Sequence, residues 1–278
     1  MAKQIYSKKS VNEIWYRYLT GESREDLDKP AELVNKLQHG IFKLLPGAPR
    51  CGYCNVPLAG LGGQMVRIIG FAPSTLSPRL CNNCDKYLRK YEGGTEVVLS
   101  LLFADIRGST KLAETLSAAD FSQLIQRFYK VSTDVLIRHN ALVNRLMGDQ
   151  VIGLFAPRFA GSNHAKTAVE AALDLLRATG HGDPDGPWAP VGVSVHSGLV
   201  YVGIVGSRES VNEIAVLGNE ANLAARLSSQ AAQGEVVVSE TAAAAAGVAS
   251  QGAEQRNLEL KGISQPVPVQ VLRVAPGN

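Results

Sequence analysis

The stretch LLFADIRGSTKLAETL, Leu101–Leu116, is the most informative part of the sequence because it joins an apolar run to a predicted helix through a polar turn. Residues 97–103 form a short continuous apolar run, which predicts a fully buried strand. Asp105 stands where that strand ends, and Gly108 permits a tight turn before Ser109 or Thr110, either of which can cap the following helix. A carboxylate beside such a turn suits a cation and a phosphate chain. A simple helix-capping Asp is the alternative, and partners further along the chain decide between the two.

Two later segments supply those partners. The segment NRLMGDQVIGLF (144–155) predicts two strands joined by a tight turn, with Asp149 at its tip. Two carboxylates on neighbouring strand ends can hold two divalent cations for in-line attack at phosphorus. The segment VLGNEANLAARL (216–227) places Asn222 and Arg226 on one face of a predicted helix. An amide and a guanidinium can orient a ribose and neutralise charge developing on a phosphoryl group. Together these groups predict an enzyme site.

Composition narrows the class of protein. The chain has 278 residues, of which 45% are hydrophobic, enough for a full core. The net charge of +3 is too small to predict a nucleic-acid partner. No apolar run approaches the roughly 18 residues that span a bilayer, and residues 1–10 lack the apolar segment of a signal peptide. We therefore expect a cytoplasmic protein with neither a membrane nor a nucleic-acid partner.

The cysteines form two CxxC pairs, Cys51–Cys54 and Cys81–Cys84. In a reducing compartment, two such pairs separated by a short Gly- and Pro-rich segment predict a tetrahedral thiolate site rather than two disulfides. Zinc is the expected ion, and four thiolates leave it no open position, so the site would be structural. Four thiolates also bind an iron–sulfur cluster, and the spacing does not exclude that alternative.

The chain divides into three predicted segments. Residues 1–50 form a helical segment, residues 51–92 a four-cysteine module similar to a zinc ribbon, and residues 93–278 a catalytic domain. In the first segment, one predicted helical face consists of Val11, Ile14, Trp15 and Tyr18, and a second consists of Leu33, Leu37, Ile41 and Leu44. In the last segment strands and helices alternate, which predicts an α+β fold with helices on one face of a sheet. The predicted strands are 96–104, 141–147, 150–156, 191–205, 212–217 and 235–239 with a closing pair near 256–272. More than one helix is predicted within 110–139, and further helices are predicted at 162–179 and 219–231.

The ordered motifs resemble the class III nucleotidyl cyclases, the adenylate and guanylate cyclase family. The matching segments are FADIRGST (103–110), RLMGD (145–149), VSVHSGLVYVGIVG (193–206), LGNEANLAARL (217–227) and LELKG (258–262). The resemblance implies a ferredoxin-like catalytic core that acts as a head-to-tail homodimer. It also implies conversion of a nucleoside triphosphate to a cyclic 3′,5′-monophosphate and pyrophosphate. The cysteine module is similar to one found in a group of bacterial cyclases.

The resemblance implies a role for each motif residue. Asp105, the Ile106 carbonyl and Asp149 would bind two Mg²⁺ or Mn²⁺ ions. Asn222 would orient the ribose, and Arg226 would stabilise the phosphates. In the family, the metal ligands and the Asn/Arg pair come from opposite subunits. The phosphate-binding residues would be Gly108, Ser109, Thr110 and Lys261.

Two positions depart from the family pattern where it selects the base. The family usually has a Lys that reads a purine, and this chain has Arg145; the companion Asp or Thr is replaced by Ala215. A Lys with an Asp or Thr reads the edge of adenine, whereas an Arg fork suits a carbonyl of uracil or cytosine. The pyrimidine cyclases of the Pycsar antiphage systems belong to this superfamily and lack the usual purine readers. We therefore favour a uridylate or cytidylate cyclase making cUMP or cCMP as an antiphage second messenger for a cyclic-nucleotide-responsive effector.

Two alternatives stay open on sequence grounds. An Arg that replaces a Lys is also compatible with ATP, which would make the chain an adenylate cyclase producing cAMP. A catalytically silent nucleotide-binding sensor would usually have lost an acid or the Asn/Arg pair, and this chain retains both. His196, in VSVHSG, is expected to pack or cap rather than to bind a metal.

Overall fold

The computed structural model describes residues 8–23, 40–74, 79–89, 93–205, 213–248 and 253–275. The chain forms two compact units. Unit 1 consists of residues 1–97 and 201–216, and unit 2 consists of residues 98–200 and 217–278. The predicted division into segments 1–50, 51–92 and 93–278 stays a prediction. No helix of the described residues is both long enough and apolar enough to cross a membrane.

The helices whose full extent lies in the described residues of unit 1 are α1 (Lys8–Thr20), α2 (Gly60–Ile68) and α3 (Asn82–Arg89). Helix α1 buries Trp15 and Tyr18, two members of the apolar face that the sequence predicts there. Of the second predicted helical face, Ile41 and Leu44 are exposed rather than packed, and Leu33 and Leu37 lie outside the described residues.

Unit 2 contains most of the alternating strands and helices. The strands are β1 (Gly93–Ile106), β2 (Leu142–Met147), β3 (Gln150–Phe155), β4 (Val191–Val205), β5 (Glu213–Leu217), β6 (Glu235–Ser239), β7 (Glu254–Leu258) and β8 (Val267–Arg273). The helices are α4 (Ser109–Thr115), α5 (Ala118–Arg138), α6 (Pro157–Ala160), α7 (His164–Ala178), α8 (Asn219–Gln230) and α9 (Glu240–Ala246). Strands β1, β4 and β5 have residues in both units.

The strands form one mixed sheet in the order β2-β3-β1-β4-β6-β8-β7, with β5 paired to β4. Strand β3 is antiparallel to both β1 and β2, β6 is parallel to β4, and β8 is antiparallel to both β6 and β7. A mixed sheet with intervening helices is the predicted α+β architecture.

Helix α8 packs on a different face of the sheet from α5, α7 and α9. Val236 and Val238 belong to the larger core cluster with those three helices, whereas Val237 belongs to a smaller cluster with Leu227 of α8 and Val271. Successive side chains of a strand point to opposite faces, so the two clusters lie on opposite sides of β6. The expectation of helices on one face is therefore wrong for α8. Strand β6 is buried on both faces and has no polar alternation that would have revealed this.

The helices predicted within 110–139 are α4 and α5, which are separated at Leu116 and Ser117. Leu116 is extended, and the Ser117 side chain accepts a hydrogen bond from the Asp120 N–H, which caps α5. A Ser that satisfies a free N–H at a helix start favours a new helix over continuation of the old one.

Candidate active site

The two acidic residues lie at neighbouring positions in unit 2. Asp105 is near the end of β1, and Asp149 is in the turn between β2 and β3. Asp105 is opposite Gln150 in the antiparallel ladder. The Ile106 N–H donates a hydrogen bond of 3.2 Å to the Asp149 carbonyl. The structure therefore brings Asp105, Ile106 and Asp149 together at the end of the β1–β3 pair.

The Asp105 carboxylate has two side-chain partners that the sequence analysis missed. Its Oδ1 forms an ion pair with the Arg107 guanidinium. Its Oδ2 accepts a hydrogen bond of 3.3 Å from the Ser228 hydroxyl on α8. Burial lowers the pKa of Arg107, and the charge of Asp149 opposes that effect. Arg107 could have been suspected because it follows the acid by two residues, whereas nothing in the sequence links Ser228 to Asp105.

A tyrosine holds the turn that carries Asp149. The Tyr129 hydroxyl on α5 donates a hydrogen bond of 2.6 Å to the Gly148 carbonyl. Gly148 has a φ of +63°, a conformation that favours glycine. Burial and the Asp149 charge both raise the pKa of Tyr129, so its hydroxyl keeps the proton that it donates. No periodicity or motif singles out Tyr129 in the sequence.

The glycine turn after β1 differs from the expectation in one detail. Gly108 itself is the N-cap of α4, with a φ of +67°, and no side chain caps this helix. The expected capping by Ser109 or Thr110 is therefore wrong, because these residues are the first two of the helix. The first N–H groups of a helix have no intrahelical partner and are available to an anion. Ser109 is half-buried and Thr110 is exposed.

Helix α8 carries the Asn/Arg pair. Asn222 is exposed, and Arg226, one turn later, is half-buried. Arg226 Nη1 is buried, and it has no hydrogen-bond partner among the described residues. A Cβ atom at Gly262 would lie 2.9 Å from Arg226 Nη1, so the missing side chain of Gly262 leaves room for the guanidinium. Lys261, the neighbour of that glycine, is exposed. The structure thus brings Arg226 to the predicted LELKG segment.

The two positions expected to select the base lie in different units. The backbone of Arg145, in β2, is opposite Ile152 of β3, and its side chain lies outside the described part of the chain. Ala215 is half-buried in β5.

The four cysteine thiols cluster within unit 1. Their sulfur atoms all lie within 4.8 Å of one another, and all four residues are buried. The N–H groups of Cys81 and Cys84 point to the sulfurs of Cys51 and Cys81, at 3.3 and 3.4 Å. Hydrogen bonds with Cys54 lower the pKa of Cys51, and hydrogen bonds with Cys51 raise the pKa of Cys84. Without a cation the thiols cannot all ionise together, whereas a divalent cation stabilises four thiolates.

Neighbouring strand-end carboxylates, a glycine turn and a buried unpaired guanidinium are the parts of a metal-dependent phosphoryl-transfer site. The chain belongs to the adenylate and guanylate cyclase family, because residues 94–271 match the family described as Adenylate and Guanylate cyclase catalytic domain. This match confirms the class III nucleotidyl cyclase fold and enzyme class predicted from the sequence.

Two of the similar curated proteins are uncharacterised proteins of Mycobacterium tuberculosis. Rv1318c is 33% identical over 182 residues, which cover 63% of this chain and 32% of that protein. Rv1320c is 35% identical over 136 residues, which cover 49% of this chain and 23% of that protein. The matched region is thus a third or less of the length of these relatives.

Solved structures of two cyclases are also similar. The guanylyl cyclase Cya2 aligns with a TM-score of 0.57 and 26% identity over 66% of this chain and 95% of that one. The adenylyl cyclase CyaB from P. aeruginosa aligns with a TM-score of 0.55 and 24% identity over 65% of this chain and 96% of that one. The second match supports the fold alone.

Proposed function

We propose that this chain is a nucleotidyl cyclase that converts a nucleoside triphosphate to a cyclic 3′,5′-monophosphate and pyrophosphate. The observation that carries the proposal is the side-by-side position of Asp105 and Asp149, joined through the Ile106 N–H. In the reaction the ribose 3′-oxygen attacks the α-phosphorus, and pyrophosphate leaves.

The donor set fits Mg²⁺ or Mn²⁺. The carboxylates of Asp105 and Asp149 and the Ile106 carbonyl are hard oxygen ligands of the kind that these cations prefer. The Asp105 carboxylate forms an ion pair with the Arg107 guanidinium. The carboxylate is therefore in a position to contact a positively charged group. When bound, two divalent cations would neutralise the phosphate charge and activate the attacking hydroxyl.

The remaining groups act on the substrate. The buried Arg226 Nη1 needs a hydrogen-bond acceptor, and a phosphate oxygen is one that also neutralises its charge. Asn222, one turn earlier, would hydrogen-bond the ribose. The free N–H groups at Gly108, Ser109 and Thr110, together with exposed Lys261, would bind the other phosphates. These roles are proposals drawn from the family resemblance and supported by this geometry.

The site uses two copies of the chain. Ser228 contacts Asp105, so the side of α8 that carries Ser228 faces the acids of its own chain. Arg226 precedes Ser228 by two residues and therefore lies about 200° away around the helix axis. Asn222 shares the Arg226 face, and a second copy would supply the acids that this face requires.

We favour uracil or cytosine as the base. The Ala215 side chain has no atom that could accept a hydrogen bond from the adenine amino group, and the Arg145 side chain has no acceptor either. An unpaired buried amino group costs roughly 1–3 kcal/mol, about ten- to a hundredfold in discrimination against ATP. The product would then be cUMP or cCMP, a second messenger for a cyclic-nucleotide-responsive effector in antiphage defence. ATP and GTP are the competing substrates.

The four cysteines would hold one structural zinc ion. Four sulfurs within 4.8 Å of one another match a closed thiolate site, which has no position for a substrate.

The test offers purified protein each of the four nucleoside triphosphates with Mn²⁺ and identifies the products by mass. We expect a cyclic pyrimidine nucleotide to form faster than cAMP or cGMP. The double variant Arg145→Lys, Ala215→Thr should shift the preference towards ATP. A wild-type preference for ATP would show that the proposed base is wrong, but it would not contradict the proposed cyclase activity. No product from any of the four would contradict the cyclase itself.

A further inference from the structure

A buried histidine contacts the first turn of the proposed catalytic helix. His196, in β4, is only 1% exposed. Its Nε2 lies 2.7 Å from Oε2 of Glu220, the second residue of α8. Its Nδ1 lies 2.9 Å from the hydroxyl of Ser239, which caps α9 by accepting from the Ala242 N–H. The imidazole therefore connects α8 to the sheet and to the start of a second helix. The sequence predicts that His196 packs or caps, but it does not predict the contact with Glu220.

The absence of a side chain at Gly198 leaves space for the Glu220 side chain beside His196. A Cβ atom at Gly198 would lie 2.8 Å from both Cγ and Oε2 of Glu220, so a larger residue there would displace the carboxylate. Helix α8 starts after Gly218, which has a φ of +119° and provides no side-chain cap. Glu220 is thus the side chain that ties the first turn of α8 to the sheet.

The donors and acceptors of the cluster are consistent with one arrangement. An ionised Glu220 only accepts, so His196 Nε2 carries a hydrogen whether the ring is neutral or charged. In the neutral ring, Nδ1 accepts from the Ser239 hydroxyl. In the charged ring, Nδ1 donates, and Ser239 can donate to Thr241 over 3.0 Å, which in turn donates to the Ser197 carbonyl over 2.8 Å. Burial lowers the pKa of His196, and the hydrogen bond that His196 donates to Glu220 opposes this effect; the Glu220 contact persists in both states.

We propose that His196 and Glu220 are positioning residues whose hydrogen bond holds the first turn of α8, and with it Asn222 and Arg226, in the orientation that catalysis requires. The proposal rests on the proposed cyclase function. The first backbone hydrogen bond of α8 runs from the Asn222 N–H to the Gly218 carbonyl over 3.1 Å, next to the Glu220 anchor. Without the anchor this turn would open more often, and the Asn222 amide would lose its place.

The kinetic test compares three variants. Glu220→Ala removes the anchor and should lower kcat by about 10- to 100-fold with a smaller change in KM, because Asn222 and Arg226 act mainly in the transition state. Glu220→Gln keeps an oxygen acceptor for His196 and should restore most of the rate. Glu240→Ala, the matched change in the first turn of α9, should leave kcat unchanged. Wild-type kcat in Glu220→Ala, or equal losses in Glu220→Ala and Glu220→Gln, would overturn the proposal.

A second measurement does not depend on activity. Hydrogen exchange of amides 222–226 should be faster in Glu220→Ala than in the wild type, and unchanged in Glu240→Ala. Unchanged exchange in Glu220→Ala would overturn the proposal even if the enzyme were slow. If the wild type made no cyclic nucleotide, the cyclase function would fail, and the exchange experiment would still decide whether His196 and Glu220 hold α8.

Discussion

The Ser228 hydroxyl donates a hydrogen bond of 3.3 Å to the Asp105 carboxylate, and this contact fixes which side of α8 faces the acids of its own chain. Ser194 strengthens the same orientation, because its hydroxyl donates to the Ala224 carbonyl of α8 over 3.3 Å. Arg226 lies on the opposite side, where Nη1 has no partner among the described residues. Within one chain, the acids and the Arg226 guanidinium therefore lie on different sides of α8.

Mixing two inactive variants should restore activity. Asp149→Asn damages the acidic half of the site, and Arg226→Ala damages the α8 half. A heterodimer of the two retains one intact site, so a random mixture should recover about a quarter of the wild-type activity, measured as cyclic nucleotide formed.

The matched control mixes Asp105→Asn with Asp149→Asn. Both changes affect the acidic half, so no heterodimer has an intact site and activity should stay at background. Equal recovery in the two mixtures, or none in the first mixture once labelled subunits are seen to exchange, would exclude a site shared between chains.

Neutralising Asp149 should abolish turnover and leave folding largely intact. Asp149 is in a turn that Tyr129 holds through the Gly148 carbonyl, not through the Asp149 side chain, so Asp149→Asn keeps the local structure. We expect a rate loss of at least about 100-fold with little change in the thermal unfolding midpoint. Asp185→Asn, an exposed acid in a loop, is the control that should stay active. Substantial turnover by Asp149→Asn would contradict the two-metal assignment.

The sequence pattern predicts where the strands of the candidate site end, but it does not predict the hydrogen bonds that support the site. Asp105 and Asp149 each follow or join apolar runs, and such runs mark strands whose ends can be read from the sequence. The start and end of β6 agree with the predicted 235–239. Sequence analysis did not identify Ser228 and Tyr129, because their hydrogen bonds join elements that are distant along the chain. Local periodicity gives no information about such contacts.

Two errors have physical causes that can be named. The capping expected of Ser109 or Thr110 is wrong because Gly108, with a φ of +67°, is itself the N-cap of α4. The face of the sheet that α8 covers follows from Val237, but a strand buried on both faces has no alternation to show it.

The cysteine cluster should contain about one zinc ion per chain. Cys51→Ser removes one of four sulfurs that lie within 4.8 Å of one another and should lose the metal and unfold the module. Asn83→Ser, an exposed position within the second CxxC pair, should retain it. Metal analysis and near-UV circular dichroism measure the two outcomes. Visible absorption by anaerobically purified protein would identify an iron–sulfur cluster instead.

Acid should destabilise unit 2 through Glu235. This residue is 4% exposed and accepts two hydrogen bonds from Arg256, at 2.8 and 2.7 Å, and another from Arg273. The Arg256 hydrogen bonds lower the pKa of Glu235 from 4.5 to about 2. A lowered carboxyl pKa stabilises the fold above the unfolded value of 4.5, and the contribution is lost as the pH falls towards 2.

Glu235→Gln should therefore lower the free energy of unfolding at pH 7 by about 3 kcal/mol, the value of a shift of that size. It should also remove most of the decline in stability between pH 4.5 and 2, measured by urea unfolding at several pH values. Glu254→Gln is the matched control, because Glu254 also pairs with Arg256 and Arg273 but is exposed, so solvent weakens its contribution. An unchanged acid decline in Glu235→Gln, or a decline reduced as much by Glu254→Gln, would show that the buried carboxylate does not cause it.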